Sequence, residues 1–278
     1  EITTGDWSSD VCSSDLFRNP ETGLFDQQRQ LSELKYGGAQ VYGSWVSDDK
    51  LRLYYAACDP QTLQWTKRPI WMAIRNSVDA PWVTIERYEE LEIEAFPNDC
   101  TLTADEKTIM FEAASWSGGG IRRIFTASRP SLLHKFSNIR EIVELEEMQA
   151  WRPRISSDGL SVYFRVLNTN NQWEVWMGDR ESLDQPFDNF KQMEWSNKTG
   201  VSIDPWLSSD GQRLYYRHRP TEILDVNDSG IYIAEWVDET YHDAVRLLQE
   251  AAADKESSIE LIQDAYANRQ HAALFLEY

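Results

Sequence analysis

Eight residues of this sequence carry side chains suited to gripping a ligand: Tyr42, Trp45, Asp99, Trp151, Arg152, Arg154, Asp204 and Trp206. Each stands a few residues ahead of one copy of a short motif, Ser or Thr, any residue, then Asp, found in "VSDDKLRLYY", "LTADEKTIMF", "ISSDGLSVYF" and "LSSDGQRLYY". Tryptophan offers a flat apolar face, while arginine and aspartate offer charge-assisted hydrogen bonds. Together they could hold a glycan, a peptide or a chain terminus in a concave site. Asp99 and Asp204 could also imitate the carboxyl pair of a glycosidase, provided one of them stays protonated. With 46 acidic residues in the chain, that pairing carries little weight. The competing reading is structural, with the tryptophans packing between layers and the charges sitting in ordinary ladders.

What must position these residues is a repeat, and a period of roughly 20 to 50 residues decides a fold outright. Taking the motif acid as the register mark gives Asp49, Asp105, Asp158 and Asp210, separated by 56, 53 and 52 residues. A second element follows the first three motifs, and after the fourth Trp236 stands where its arginine is expected. In "IWMAIRNSVDAPW", "IFTASRPSLLHKF" and "VWMGDRESLDQPF" an arginine precedes an aromatic residue by seven positions, as Arg75 to Trp82, Arg129 to Phe136 and Arg180 to Phe187. A further copy, "FRNPETGLF", puts Arg18 seven residues before Phe25. Spacing that stays fixed while loops vary implies fixed geometry. Each unit reads as four short strands, with β-branched and aromatic residues alternating at period two. A unit of about 53 residues cannot bury both faces alone, so neighbours must stack radially. The expected fold is all-β, a β-propeller of four-stranded blades. Its repeats cover about 40–95, 96–150, 151–202 and 203–250, with partial blades at 17–39 and 251–278.

These residues resemble the TolB-like, or WD40-like, propeller repeat, most closely in "RPRISSDGLSVYF" with "VWMGDR" and in "DPWLSSDGQRLYY" with "IYIAEW". The first two units depart from the pattern, since Lys50 and Glu106 occupy its glycine position, which permits a changed turn there. The resemblance spans roughly residues 17 to 250. It implies a protein-binding platform, an envelope accessory domain or the gating domain of a larger hydrolase, and a periplasmic or extracellular location. The sialidase Asp box, which separates its Asp and Gly by one residue, does not fit the adjacent Asp158-Gly159 and Asp210-Gly211.

The repeated residues are expected to be scaffolding. Asp49, Asp105, Asp158 and Asp210 would cap backbone N–H groups in turns, and Arg75, Arg129 and Arg180 would hold the outer corner of each blade. A catalytic residue would instead be unique, and neither a nucleophile elbow nor a plausible Ser/His/Asp set occurs. The expected function is therefore non-catalytic binding of a protein or a cell-envelope polymer, with a glycan-processing enzyme as the rival.

Composition narrows the partners. A net charge of −19, from 27 basic and 46 acidic residues, repels nucleic acid and anionic membranes beyond about a Debye length. No apolar run approaches the roughly 18 residues of a membrane span. Cys12, Cys58 and Cys100 show no metal spacing, the four histidines are scattered, and no metal or cofactor is expected. "DVNDSG" at 225–230 starts like a calcium loop but has Trp236 where the bidentate Glu belongs. Oligomeric state is not indicated.

The two ends differ from the middle. Back-translated, residues of about 5–16 resemble a common short-read library adapter read in frame, as an assembled metagenomic fragment could carry. Residues 1–16 are therefore expected to be a foreign or disordered tail ahead of a truncated first blade. Cys58 and Cys100 are expected as buried thiols or a disulfide. Near the other end, Val245, Leu248, Ala251 and Ala252 predict a short helix, followed by the first strand of a degenerate further unit.

Overall fold

The computed structural model describes residues 14–18, 25–34, 41–57, 69–93, 95–115, 122–170, 172–193, 200–208, 211, 213–220 and 230–235. By contact the chain divides into Glu1–Ala234 and Glu235–Tyr278, and the described elements belong to the first unit except for Glu235.

The elements form a succession of antiparallel sheets. Strands β1 (Ser14–Arg18) and β2 (Phe25–Gln30) pair as a two-stranded sheet. Then come β3 (Val41–Val46), β4 (Arg52–Ala57), β5 (Ile70–Ile74) and β6 (Val83–Arg87) as a first four-stranded sheet. The second comprises β7 (Ala95–Leu102), β8 (Thr108–Ser115), β9 (Arg122–Ser128) and β10 (Ser137–Glu141). The third comprises β11 (Trp151–Ile155), β12 (Ser161–Leu167), β13 (Trp173–Asp179) and β14 (Asp188–Gln192). Strands β15 (Gly200–Leu207), β16 (Arg213–Pro220) and β17 (Gly230–Glu235) form a three-stranded sheet. Each sheet follows chain order, and the leading strands of successive sheets touch, β3 with β7, β7 with β11 and β11 with β15. Leu16 and its two predecessors lie in β1 although the sequence expects a foreign tail there. The helix expected near Val245 and the partial blade at 251–278 lie outside the described residues. The described α-helix, α1 (Val143–Glu147), instead joins the second sheet to the third.

Period-two alternation is present but takes a form the sequence reading did not anticipate. In β4, β8 and β12 the alternate side chains enter two different cores, because a sheet packs on each face. Tyr54 joins the cluster of Leu91, Leu102, Ile109 and Phe111, whereas Tyr55 joins Leu31, Leu34, Trp71 and Trp82. Phe164 packs with Met110, Ile124 and Phe187, and Tyr163 with Val175, Met177 and Leu214. Burial on both faces is what makes these middle strands almost continuously apolar.

The repeated motif builds one turn. Ser47, Thr103 and Ser156 each donate their hydroxyl to Asp49, Asp105 and Asp158 Oδ1 at 2.6, 2.7 and 2.6 Å. The same Oδ1 atoms accept the N–H of Leu51, Lys107 and Leu160 at 3.0, 3.0 and 2.9 Å. The hydroxyl oxygens accept the N–H five residues on, in Arg52, Thr108 and Ser161, and Ser208 does the same for Arg213 at 2.9 Å. Asp210 lies outside the described residues. The turn does not change where glycine is missing: Lys50 and Glu106 adopt φ of 60° and 57°, beside 79° and 71° at Gly159 and Gly211. The hydroxyl and carboxylate bonds hold the left-handed residue in place whatever its type.

The seven-residue spacing also has a geometric cause. Arg75, Arg129 and Arg180 donate Nε–H to the carbonyl oxygens of Lys50, Glu106 and Gly159 at 2.7, 2.9 and 2.8 Å. Each guanidinium lies over Trp82, Phe136 or Phe187, at 4.2, 4.3 and 4.4 Å from the ring centre. The arginine thus clamps the third-to-fourth strand connection onto the first-to-second turn, so it ties both ends of the blade edge and does more than hold an outer corner.

Candidate functional site

Every described leading strand carries an irregularity of register at one place: between Tyr42 and Trp45, Pro97 and Asp99, Trp151 and Arg154, and Ile203 and Trp206. A β-bulge re-aims a side chain out of the ladder, and bulges concentrate beside functional sites. Six residues back from each motif acid stand Gly43, Asp99, Arg152 and Asp204: Gly43, Arg152 and Asp204 fall inside the irregularity, and Asp99 stands immediately after it, in register with Glu112. Arg152 and Asp204 have φ of 49° and 56°, a region that costs a side-chain-bearing residue on the order of 1 kcal/mol. The scaffold around these positions repeats while their identity does not.

The side chains at and beside these irregularities meet. Asp99 accepts from Arg154 Nη1 at 2.7 Å and lies 4.0 Å from Arg152 Nε. Arg152 Nη1 reaches Asp204 Oδ1 at 2.8 Å, and Arg165 Nη1 approaches the same oxygen at 3.3 Å. Arg217 Nε stands 3.9 Å from Asp204 Oδ2. Buried Glu112 accepts the Arg152 backbone N–H at 2.8 Å. A side chain at position 43 would collide with the Asp99 carboxylate, so Gly43 provides the room that this arrangement needs. Burial raises the pKa of Asp204, but Arg152, Arg165 and Arg217 outweigh it and hold the carboxyl below its ordinary value.

Of the eight residues expected to share a concave site, Asp99, Arg152, Arg154 and Asp204 come together. Trp151 packs edge-on against Trp173 at 5.1 Å, and Arg165 lies over Trp173 at 4.4 Å and Trp151 at 5.6 Å. Trp206 leans on Tyr215 at 5.3 Å and is 45% exposed. Trp45 goes elsewhere: it meets Tyr54 edge-on at 5.7 Å and packs on the core between the first two four-stranded sheets. Tyr42 lies in β3, and its side chain is outside the described residues.

Sequence reading missed Glu112, Arg165 and Arg217, which sit on the second strand of each blade. A signal existed. Seven residues after each motif acid stand Ala56, Glu112, Arg165 and Arg217, a varying identity at a constant offset. Cys100 donates its buried thiol to Gly43 O at 3.5 Å, and Cys58 and the 225–229 loop lie outside the described residues. Among the described residues no cluster of His, Cys, Asp and Glu could hold a metal ion, and no helix is long and apolar enough to cross a membrane.

Beside the cluster, buried His218 shares a 2.9 Å hydrogen bond between Nδ1 and Ser202 Oγ, and burial holds its pKa below the ordinary value. The unfolded chain then binds more protons than the folded one as pH falls from about 6.5 to the folded pKa. Stability should be unaffected above that window and decline within it by at most about 1.4 kcal/mol per pH unit. Urea unfolding at a series of pH values checks this, with His218→Gln expected to flatten the decline.

No protein-family model matches the chain, and no curated protein matches it. Solved structures do. An α-L-arabinofuranosidase from Lactobacillus brevis aligns at 11% identity over 85% of this chain and 94% of its own, with a TM-score of 0.53. TolB from Acinetobacter baumannii aligns at 16% identity over 83% of this chain, with a TM-score of 0.47, and this chain spans 54% of that structure's length. The β-propeller domain of the Trilobed protease from Pyrococcus furiosus aligns at 14% identity over 72% of this chain and 55% of its own, with a TM-score of 0.39. Successive chain-order antiparallel sheets, a single repeated turn and touching leading strands make this chain a β-propeller.

Proposed function

We propose that this propeller is a non-catalytic binding module that holds a protein or a cell-envelope polymer against its leading strands. One observation carries the reading: both leading-strand carboxylates, Asp99 and Asp204, are engaged by arginines at 2.7 and 2.8 Å. A glycosidase needs one carboxyl of its pair held protonated as the acid, and at Asp204 the guanidinium neighbours act in the opposite sense. What the arrangement supplies is a row of fixed, alternating charges bordered by tryptophan, which suits recognition. The net charge of −19 argues against nucleic acid as the partner. A periplasmic or extracellular setting fits an envelope partner.

The test is turnover. Wild type and Asp204→Asn are incubated with a panel of chromogenic glycosides and envelope polysaccharides, and released reducing ends are measured. No release by either protein is expected. Release by wild type that disappears in Asp204→Asn would overturn the reading and install the glycosidase in its place.

A further inference from the structure

Resting on the binding reading, we infer that the ligand is an acidic polysaccharide, recognised through ring carboxylates of its uronic-acid residues. The first observation is charge. In a chain with a net charge of −19, the leading-strand cluster gathers four arginines, Arg152, Arg154, Arg165 and Arg217, around three carboxylates, Asp99, Asp204 and Glu112. Among these seven described residues, guanidinium groups outnumber carboxylates by one. The accessible members are Arg152, Arg217 and Asp204, with side chains 30%, 28% and 28% exposed, whereas the Asp99 carboxylate is 6% exposed, so two guanidinium groups and one carboxylate face a ligand. Guanidinium groups recognise carboxylates in planar, bidentate fashion, and the less hydrated guanidinium suits such a desolvated site better than an ammonium would.

The second observation is aromatic. Trp206 stands in β15 two residues after Asp204, at the offset from the motif that Arg154 holds in β11, and it is 45% exposed. Trp151 and Trp173 join the cluster through Arg165, which is stacked over both and reaches Asp204. A uronic-acid ring carries its carboxylate on the rim of a flat C–H face, so one residue can lie on an indole and meet a guanidinium at once. The ring hydroxyls can donate to Asp204, which the arginines keep ionised and therefore an acceptor. An acidic peptide holds its carboxylates on flexible arms and gives the tryptophan faces nothing flat to cover.

The third observation is strain. Arg152 and Asp204 occupy left-handed backbone positions that glycine would fill without cost, as Gly43 does at the equivalent place. Arg152 and Asp204 are held there by the ion pair they share, at the place where the bulge re-aims them out of the ladder.

Isothermal titration of the purified full chain with alginate oligosaccharides tests the inference, with dextran as the neutral glycan and polyglutamate as the acidic peptide. Wild type should bind alginate, not dextran, and binding should weaken at least tenfold as NaCl rises from about 50 to about 500 mM. Arg152→Ala, Arg217→Ala and Trp206→Ala should each weaken it about tenfold or more. Leu133→Ala, at a 95% exposed loop position away from the bulges, should not. Thermal melting of each variant separates lost binding from lost folding, and Trp206→Ala, exposed as it is, keeps the test sharp if the arginine variants unfold. Binding to polyglutamate but not alginate, equal binding to dextran, or alginate binding untouched by all three substitutions overturns the inference and leaves the non-catalytic reading standing. Absence of alginate binding also overturns it, while glycoside turnover alone decides the non-catalytic reading.

Discussion

Replacing Glu106 with glycine should destabilise the protein by about 2 to 3 kcal/mol, although it restores the residue that the turn geometry favours. Glu106 sits at φ 57°, and freeing a non-glycine residue from that region recovers about 1 kcal/mol. Its carboxylate, however, is 3% exposed and receives Arg52 Nε at 2.8 Å and the Tyr54 hydroxyl at 2.7 Å. Burial first, and then neighbouring Tyr88 and Glu106, raise the Tyr54 pKa, so the phenol remains a donor at any physiological pH. Without Glu106 that donor is buried without its acceptor, which costs about 1 to 3 kcal/mol, and Arg52 loses its better-buried partner. Lys50 offers the comparison. It occupies the same left-handed position at φ 60° on an exposed turn, so Lys50→Gly should change stability by less than about 1 kcal/mol, on the stabilising side. Urea titrations of the two variants check the pair. Equal and opposite shifts would not arise from turn geometry alone, and a stabilised Glu106→Gly would show that the buried contacts contribute nothing.

Arg129→Lys should be the more damaging change, with a loss of about 3 to 4 kcal/mol. Arg129 is buried, donates Nη2 to Tyr54 Oη at 2.8 Å and Nη1 to Tyr88 Oη at 3.3 Å, and lies over Phe136. Its Nε simultaneously holds the Glu106 carbonyl. Lysine keeps the charge but lacks the planar fork, so it cannot serve two hydroxyls and a carbonyl together. The half-exposed counterpart Arg75→Lys should lose only about 1 kcal/mol, since solvent replaces much of what its clamp supplies. Chemical denaturation measures both. Because Arg129 and Glu106 share Tyr54, their double variant should depart from additivity by at least about 0.5 kcal/mol.

Much of this fold was legible because its signals are local. The bond from Ser47 to Asp49 spans two residues, and Arg75 finds Trp82 seven residues away, so motif and spacing record them directly. Glu106 was not legible. In the sequence it is a departure from glycine, and its reason lies in Arg52 and Tyr54, 54 and 52 residues away. The same holds for the candidate site. Asp99, Arg152, Arg154 and Asp204 were found because they precede a recognisable motif, whereas Arg165 and Arg217 read as ordinary middle-strand residues. Only the leading-strand bulges, which leave no local mark in residue type, bring the two sets face to face. Trp45 shows the converse: it shares Trp206's offset and yet turns into the core, since Tyr54 and the adjoining sheet offer it apolar cover.

The fourth strands of the three complete sheets also lose register, between Met72 and Ala73 of the β5–β6 pair, Ser137 and Arg140 of β10, and Met177 and Asp179 of the β13–β14 pair. Asn138 and Asn189 take left-handed φ of 54° and 49° there. A straight outer margin would present a row of unsatisfied amides to any passing chain, an invitation to fibre growth. The kinks break that row after one or two paired residues. The molecule can therefore stack sheet upon sheet within itself while refusing to extend the pattern to its neighbours in a crowded compartment.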